Sequence, residues 1–355
     1  MPESAKKTIL VAPLNWGLGH ATRCIPIIRA LMDQGYSVLL GSEGAALQLL
    51  RKEFPQLSHI TLPSYAIRYP RNGLFFKLKL LRSLPAIQRA IQQEHQQVAQ
   101  LVDEGAIEGI ISDNRPGVYH IDVPSVYLTH QVVVLSGATS AMSSRMHQRH
   151  IQKFDSCWVP DVAGTPNLSG ALGHPPAVDF PLTYIGPLSR MKAKPTETKY
   201  DILIVLSGPE PQRSLLENRM LEVFTNTKSR VLLVRGVIED EEQIEFRENL
   251  AIANFMTTRS LEQVLNESEL VIARSGYTTI MDLAAMGKKA FFIPTPGQYE
   301  QNYLAKQLEK QKIAPYCRQR EFTLENLKKV DQYSGFQAWQ GEQDLSRLFG
   351  LFEGK

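Results

Sequence analysis

Twice along this 355-residue chain, an apolar, β-branched run ends in a glycine-bearing turn and gives way to a segment of helical period. The first is "TILVAPL" before "NWGLGHATR"; the second is "DILIVLSG" before "PEPQRSLLENRM". Strand and helix signals then keep alternating, the pattern of a parallel sheet covered by helices on both faces. In the first half "SVLLGSE", "HITLPS", "GIISDN", "SVYLTHQ" and "CWVPD" read as further strands; in the second "RVLLVRG", "IANFM", "LVIARSG" and "KAFFIPT" do. Between the first two strands, Ile25, Ile28 and Met32 share one helical face and Gly35 stops it. The expectation is α/β, two doubly wound Rossmann-like domains with a cleft between them. Residues 1–160 form the first domain and 161–200, rich in Pro, Gly and Thr, a linker. Residues 201–335 form the second domain, and 336–355 a C-terminal amphipathic helix packing across both.

Composition closes several other routes. A content of 43% hydrophobic and 21% charged residues suits a globular protein with full cores, and no apolar run approaches the length of a bilayer span. The N-terminal apolar run lacks a cleavage pattern and reads as a strand. Cys24, Cys157 and Cys317 are scattered and odd in number, without metal-ligand spacing, which points to a reducing cytoplasm. A net charge of +3 does not call for nucleic acid.

Three uses of the opening loop compete. As a dinucleotide fingerprint, Gly17 and Gly19 fill two positions and Glu43 supplies an acid on the second strand, but Thr22 stands where the third glycine belongs. As a plain turn, the glycines need no ligand. As a mount, they lift His20 beyond the strand ends, where a carboxylate can orient it as a general base. Asp113, at the carboxyl end of "GIISDN", is the candidate carboxylate; its bland role is a turn former or helix cap.

In the second half, Ser275 and Gly276 sit where a helix begins, so backbone N–H groups face any anion there. Asp282 lies two turns into that helix, within reach of a sugar hydroxyl if its face points to the ligand. Glu300 and Gln301 open a later helix and suit polyhydroxy ligands. Without a ligand, the same residues would serve as a cap, a solvated acid and a dipole-favoured acid.

This stretch, residues 270–309, resembles the C-terminal half of GT-B glycosyltransferases, in particular MurG-type enzymes of the family 28 class. Those carry a Ser-Arg-Ser-Gly turn, an acid in the following helix, and a paired Gln/Glu-Gln element ahead of Leu-Glu. Here the counterparts are "ARSG", Asp282, Glu300–Gln301 and Leu308–Glu309, while "GLGHATR" resembles the glycine-rich His loop of the same superfamily. The resemblance implies a nucleotide-sugar donor, most simply UDP-linked, and an inverting, metal-independent transfer without cofactor to a lipid-linked or glycan hydroxyl. His20 would be the base and Asp113 its partner. Gly19, Ser275 and Gly276 would meet the donor and Asp282 its ribose. Glu300 and Gln301 would hold the sugar, Met256 the uracil edge, and Arg190 the phosphates. One departure is "LSGPEPQR": Pro209 and Pro211 remove N–H donors and Glu210 repels phosphate, leaving Ser207 and Gly208, with Arg213 as a compensating charge.

A basic, aromatic stretch at 68–91 (Arg68, Arg71, Phe75, Phe76, Lys77, Lys79, Arg82, Arg89) suits either an anionic membrane surface or a solvated helix face, with Pro85 interrupting the helix. The implied location is cytoplasmic, peripheral on the inner membrane face. The rivals are a UDP-sugar 2-epimerase, a nucleotide-sugar hydrolase and a non-catalytic nucleotide-sugar-binding protein.

Overall fold

The computed structural model describes residues 7–65, 76–337 and 344–354; the side chains of 76–84 and of residue 138 are outside the description. The chain divides into two compact units, one built from the residues up to 67, 80–188 and 342–355, the other centred on 189–341.

Unit 1 carries strands β1 (Thr8–Pro13), β2 (Ser37–Ser42), β3 (His59–Thr61), β4 (Gly109–Asp113), β5 (Ser125–Leu128), β6 (Ser156–Val159) and β7 (Leu182–Tyr184). They form one parallel sheet in the order β3-β2-β1-β4-β5-β6-β7. Its helices are α1 (Gly19–Asp33), α2 (Gly44–Glu53), α3 (Phe76–Asp103) and α4 (Ser140–Ile151). β1, β4 and β5 are buried almost throughout, which is why they read as unbroken apolar runs instead of alternating ones. Leu10, Ala12 and Ile110 of the sheet pack with Val98 of α3 and with Ile107, Val118 and Val123. The order reverses between β1 and β4, so the chain leaves these two strands in opposite directions and opens a crevice at their carboxyl ends. Pro13 faces Asp113 across that point, and Leu14 N–H donates to the Asp113 carbonyl at 2.9 Å.

Unit 2 carries β8 (Tyr200–Val205), β9 (Val231–Val234), β10 (Ile244–Arg247), β11 (Leu250–Ala253), β12 (Ser268–Ala273) and β13 (Lys289–Phe292). Its helices are α5 (Gln212–Phe224), α6 (Thr258–Asn266), α7 (Tyr277–Met286), α8 (Tyr299–Lys310) and the short α9 (Leu324–Leu327). The order is β10-β11-β9-β8-β12-β13, parallel except for β10. The reversal here falls between β8 and β12, where Val205 pairs with Ala273. α7 ends on Gly287 at φ +63°, a left-handed cap that glycine adopts without strain.

Three expectations are revised. Most of the 161–200 linker is built into unit 1, since β7 pairs with β6 and the unit runs to Leu188. Proline and glycine there serve edge-strand turns, which share their composition with linkers. The C-terminal segment is a 3₁₀ helix, Leu345–Glu353, on unit 1. Phe349 and Phe352 are buried, Lys7 Nζ donates to the Phe352 carbonyl at 2.6 Å, and a Cβ on Gly109 would lie 2.6 Å from the Phe352 ring. α3 runs through Pro85, an exposed position where one lost hydrogen bond is tolerated. One strand the sequence reading did not pick out, β10, follows the acidic run 239–242 as an exposed antiparallel edge strand. Of the basic stretch, residues 68–75 and the side chains of 76–84 lie outside the described residues.

Candidate active site

The loop after β1 turns at Gly17 (φ +82°), a left-handed conformation natural to glycine, and α1 starts at Gly19. His20 is therefore in the first turn of α1, with its side chain 15% exposed, above the β1/β4 crevice. Asp113, the last residue of β4, is fully buried. Its Oδ1 lies 2.8 Å from His20 Nδ1, so the two residues singled out from the sequence meet.

Arg23 joins them, and sequence reasoning missed it. It lies one turn after His20, with its side chain almost entirely buried. Nε donates to Asp113 Oδ2 at 2.5 Å and Nη2 donates to Oδ1, a forked guanidinium–carboxylate pair. Nη2 is also 2.9 Å from His20 Nδ1, and Nη1 is 2.9 Å from Nδ1 of His130, which follows β5. The His20-x-x-Arg23 spacing was a readable signal, since residues three apart share a helix face. Burial works against the Asp113 charge, but Arg23, His20 and their hydrogen bonds outweigh it and hold the carboxyl far below the usual carboxylate range. Because the shift is downward, it contributes stability that is fully present above that range and lost as pH falls through and below it. Asp113 is thus an acceptor at any working pH. A carboxylate accepting from Nδ1–H leaves the Nε2 lone pair of His20 available to take a proton.

Except for Gly19, at the start of α1, the other predicted residues belong to unit 2. Gly276 caps α7 in an extended conformation, and a Cβ there would meet nothing closer than Thr279 Oγ1 at 4.0 Å, so a ligand can approach the backbone. Ser275 is fully buried and its hydroxyl donates to the Gln301 carbonyl at 2.8 Å; what it offers a ligand is its N–H. The Gln301 side chain is also engaged, since its Oε1 accepts from Thr295 N at 2.7 Å. Glu300 lies in the first turn of α8, partly buried. Ser207 and Gly208 follow β8; Gly208 has φ +103°, and a Cβ there would face Thr295 Oγ1 at 3.8 Å. Met256 is buried just beyond β11, in a turn held by Asn254 and by Glu242, whose carboxylate accepts from Thr257 N at 2.7 Å. The exposed loop 239–242 is tied to this turn, with Glu239 accepting from Asn254 Nδ2 at 2.9 Å.

Asp282 and Arg190 come together. Ser189 Oγ donates to Asp282 Oδ1 at 2.8 Å, and Arg190 Nη1 donates to Thr258 Oγ1 at 2.9 Å. Asp282 is partly buried. Burial pushes its carboxyl up to about 6, against the opposing pull of Arg190 and Ser189. Arg213 does not offer a free charge to phosphate. It pairs with Glu210 at 2.6 Å and Glu217 at 2.5 Å, and Glu217 also takes Arg235 at 2.7 Å. The repulsion expected from Glu210 is cancelled by the same pairing. Arg274, inside "ARSG", is buried, and among the described residues no acid pairs with it. Its donors go to the carbonyls of Gln212, Ile293 and Pro294 and to the Gln319 amide oxygen, and burial pushes its pKa down to about 9.

Two Rossmann-like units, each with its crevice at a switch point, make a GT-B fold. The crystal structure of MurG from Acinetobacter baumannii aligns with a TM-score of 0.55 at 14% identity, covering 99% of this chain and 100% of that one. More particularly, the chain is similar to MurG-type glycosyltransferases: residues 203–332 match the glycosyltransferase family 28 C-terminal domain. A UDP-N-acetylglucosamine–N-acetylmuramyl-(pentapeptide) pyrophosphoryl-undecaprenol N-acetylglucosamine transferase from Pasteurella multocida is 26% identical over 337 residues, 92% of this chain and 88% of that one. With the Haemophilus ducreyi protein of the same name the match is 24% over 212 residues, spanning little more than half of its length (56%). Among the described residues, no helix is long and apolar enough to cross a membrane.

Proposed function

We propose that this protein transfers a hexose or N-acetylhexosamine from a UDP-linked sugar to a hydroxyl acceptor, with inversion and without a metal. The observation that carries the reading is the His20–Asp113 contact of 2.8 Å at the β1/β4 switch point. His20 Nε2 takes the acceptor proton as the oxygen attacks the anomeric carbon, and UDP leaves from the opposite face. Charge growing on the diphosphate is met by the N–H groups at the start of α7 and by Arg190. Asp282 receives the ribose, and Glu300 and Gln301 the sugar. The names of the relatives favour an acceptor carried on an undecaprenyl pyrophosphate; for such an acceptor we place the protein at the inner membrane face, with the basic, aromatic stretch 68–91 as the contact.

The test is incubation with UDP-N-acetylglucosamine and lipid-linked or glycan acceptors, with identification of the products. A glycosylated acceptor plus UDP supports transfer. An epimerised nucleotide sugar, or free sugar as the sole product, replaces it with one of the rival activities. Saturating EDTA is expected to leave the rate unchanged, and a loss restored by a divalent cation overturns the metal-free step. Asp282→Ala should weaken UDP binding by ~1–3 kcal/mol by calorimetry. In the wild type, UDP affinity should rise with pH through about 6, as the carboxyl ionises and becomes a stronger acceptor. A flat profile removes Asp282 from the nucleotide contact.

A further inference from the structure

Three polar side chains, Asp113, His20 and His130, converge on the Arg23 guanidinium. Arg23 grips both oxygens of Asp113, approaches His20 Nδ1 at 2.9 Å, and donates through Nη1 to His130 Nδ1 at 2.9 Å. Because guanidinium only donates, the His130 nitrogen it faces must be an acceptor, so His130 is neutral with its proton on Nε2. His20 Nδ1 faces two groups at nearly equal distance, Asp113 Oδ1 at 2.8 Å and Arg23 Nη2 at 2.9 Å. The two contacts require opposite tautomers. Donation to Asp113 leaves Nε2 able to accept a proton; acceptance from Arg23 puts the proton on Nε2 and disables it.

We infer that Arg23 is a positioning residue that selects the productive tautomer of His20 by holding Asp113 as a fixed, proton-free acceptor. This rests on the reading of His20 as the base. The fork satisfies the guanidinium on a charged acceptor, which is stronger than an imidazole nitrogen, so Nη2 belongs to the carboxylate and the Nδ1–H of His20 does too. The bond to His130 anchors the far end and stops the guanidinium from turning. The other polar groups near Asp113 cannot take over. Cys24 Sγ at 3.7 Å is a buried thiol, Asn114 Nδ2 at 3.2 Å brings one neutral bond, and Tyr127 is buried with its phenol pushed well up. Without Arg23, a buried Asp113 retains a proton, donates it to His20 Nδ1, and drives the imidazole proton to Nε2.

Long-range ¹H–¹⁵N spectra of the eight imidazoles, with His20 assigned by its loss in His20→Gln, read this directly. The wild type is expected to show His20 protonated on Nδ1 with a bare Nε2. Arg23→Met should move the proton to Nε2, and Arg23→Lys, which keeps the charge, should preserve the wild-type form. A wild-type His20 protonated on Nε2 overturns the inference with no variant needed, as does an unchanged tautomer in folded Arg23→Met. Where transfer is measurable, Arg23→Met should lower kcat by about tenfold or more with donor KM within about twofold, because only the base is disturbed. The expected tautomer in a protein that transfers no sugar would sink the proposed function and leave this arrangement standing.

Discussion

Replacing His20 by Gln should reduce sugar transfer by ~10²–10⁴-fold, the usual contribution of a positioned general base, while UDP-sugar affinity stays within about twofold. The separation is expected because His20 stands on α1 of unit 1, while the elements assigned to the nucleotide, Asp282 and the start of α7, belong to unit 2. Glutamine keeps a polar side chain of similar reach but has no nitrogen that accepts a proton near neutrality. Initial rates at saturating donor, set beside calorimetric UDP affinity, make the measurement. Retained turnover would assign the proton to another group, and a parallel loss of UDP binding would make His20 a structural residue. Asp113→Asn should also lower turnover, but it leaves the Arg23 guanidinium buried without its anion. Its folding must therefore be measured alongside, with a loss of about 3–5 kcal/mol expected for one broken partner of a buried pair.

The second large effect is on stability. Glu94 on α3 and Arg115 in the β4–β5 connection are both fully buried, with Arg115 Nε donating to Glu94 Oε1 at 2.6 Å and Tyr65 OH donating to Oε2 at 2.5 Å. The remaining Arg115 donors reach the Pro13 carbonyl at 3.4 Å and the Pro63 carbonyl at 2.5 Å, tying three loop origins to one side chain. Burial raises the Glu94 carboxyl against the opposing pull of Arg115 and Tyr65, so this charge depends on its partners. There is no slack around it. A Cβ on Gly117 would lie 2.3 Å from the Ile91 carbonyl and 2.8 Å from Glu94 Cβ. Glu94→Ala should therefore cost about 3–5 kcal/mol in urea unfolding, because it strands a guanidinium in a dry interior. Replacing both Glu94 and Arg115 by Met should cost less than the single change, since no charge is then left unpaired. A single variant within about 1 kcal/mol of wild type would mean that water reaches Arg115. Only Asn114 separates Arg115 from Asp113, so a loosened connection should also disturb the base.

How much of the site was legible follows the range of the interactions involved. His20 and Asp113 could be paired on paper because each ends a recognisable strand, and strands of a doubly wound sheet deliver their carboxyl ends to one edge. Arg23 was equally available through its helical spacing but carried no motif of its own. His130 follows a third strand of the same edge and gave no sign of which neighbour it would meet. In unit 2, Ser275 and Gly276 were placed at the start of α7 by a strand-to-helix transition that proved correct. That the Ser275 hydroxyl serves Gln301, and that Arg213 is held by Glu210 and Glu217, depends on side-chain contacts no local pattern encodes.

The sequence by itself determined the class of fold. Buried parallel strands need continuous apolar runs, the crossovers need helical period, and the turns between them need glycine at φ values other residues avoid; all are local requirements. The tertiary structure decided where the edges fall and which groups are paired. β7 and β10 are short edge strands of ordinary composition, and only their neighbours Val159 and Ala253 make them strands. Likewise, Arg23, Arg115 and Arg274 look alike as letters. Burial separates them: one grips Asp113, one neutralises Glu94, and one rests on carbonyl and amide oxygens. A charge taken out of water is defined by the partner that folding brings to it, and no stretch of sequence contains both.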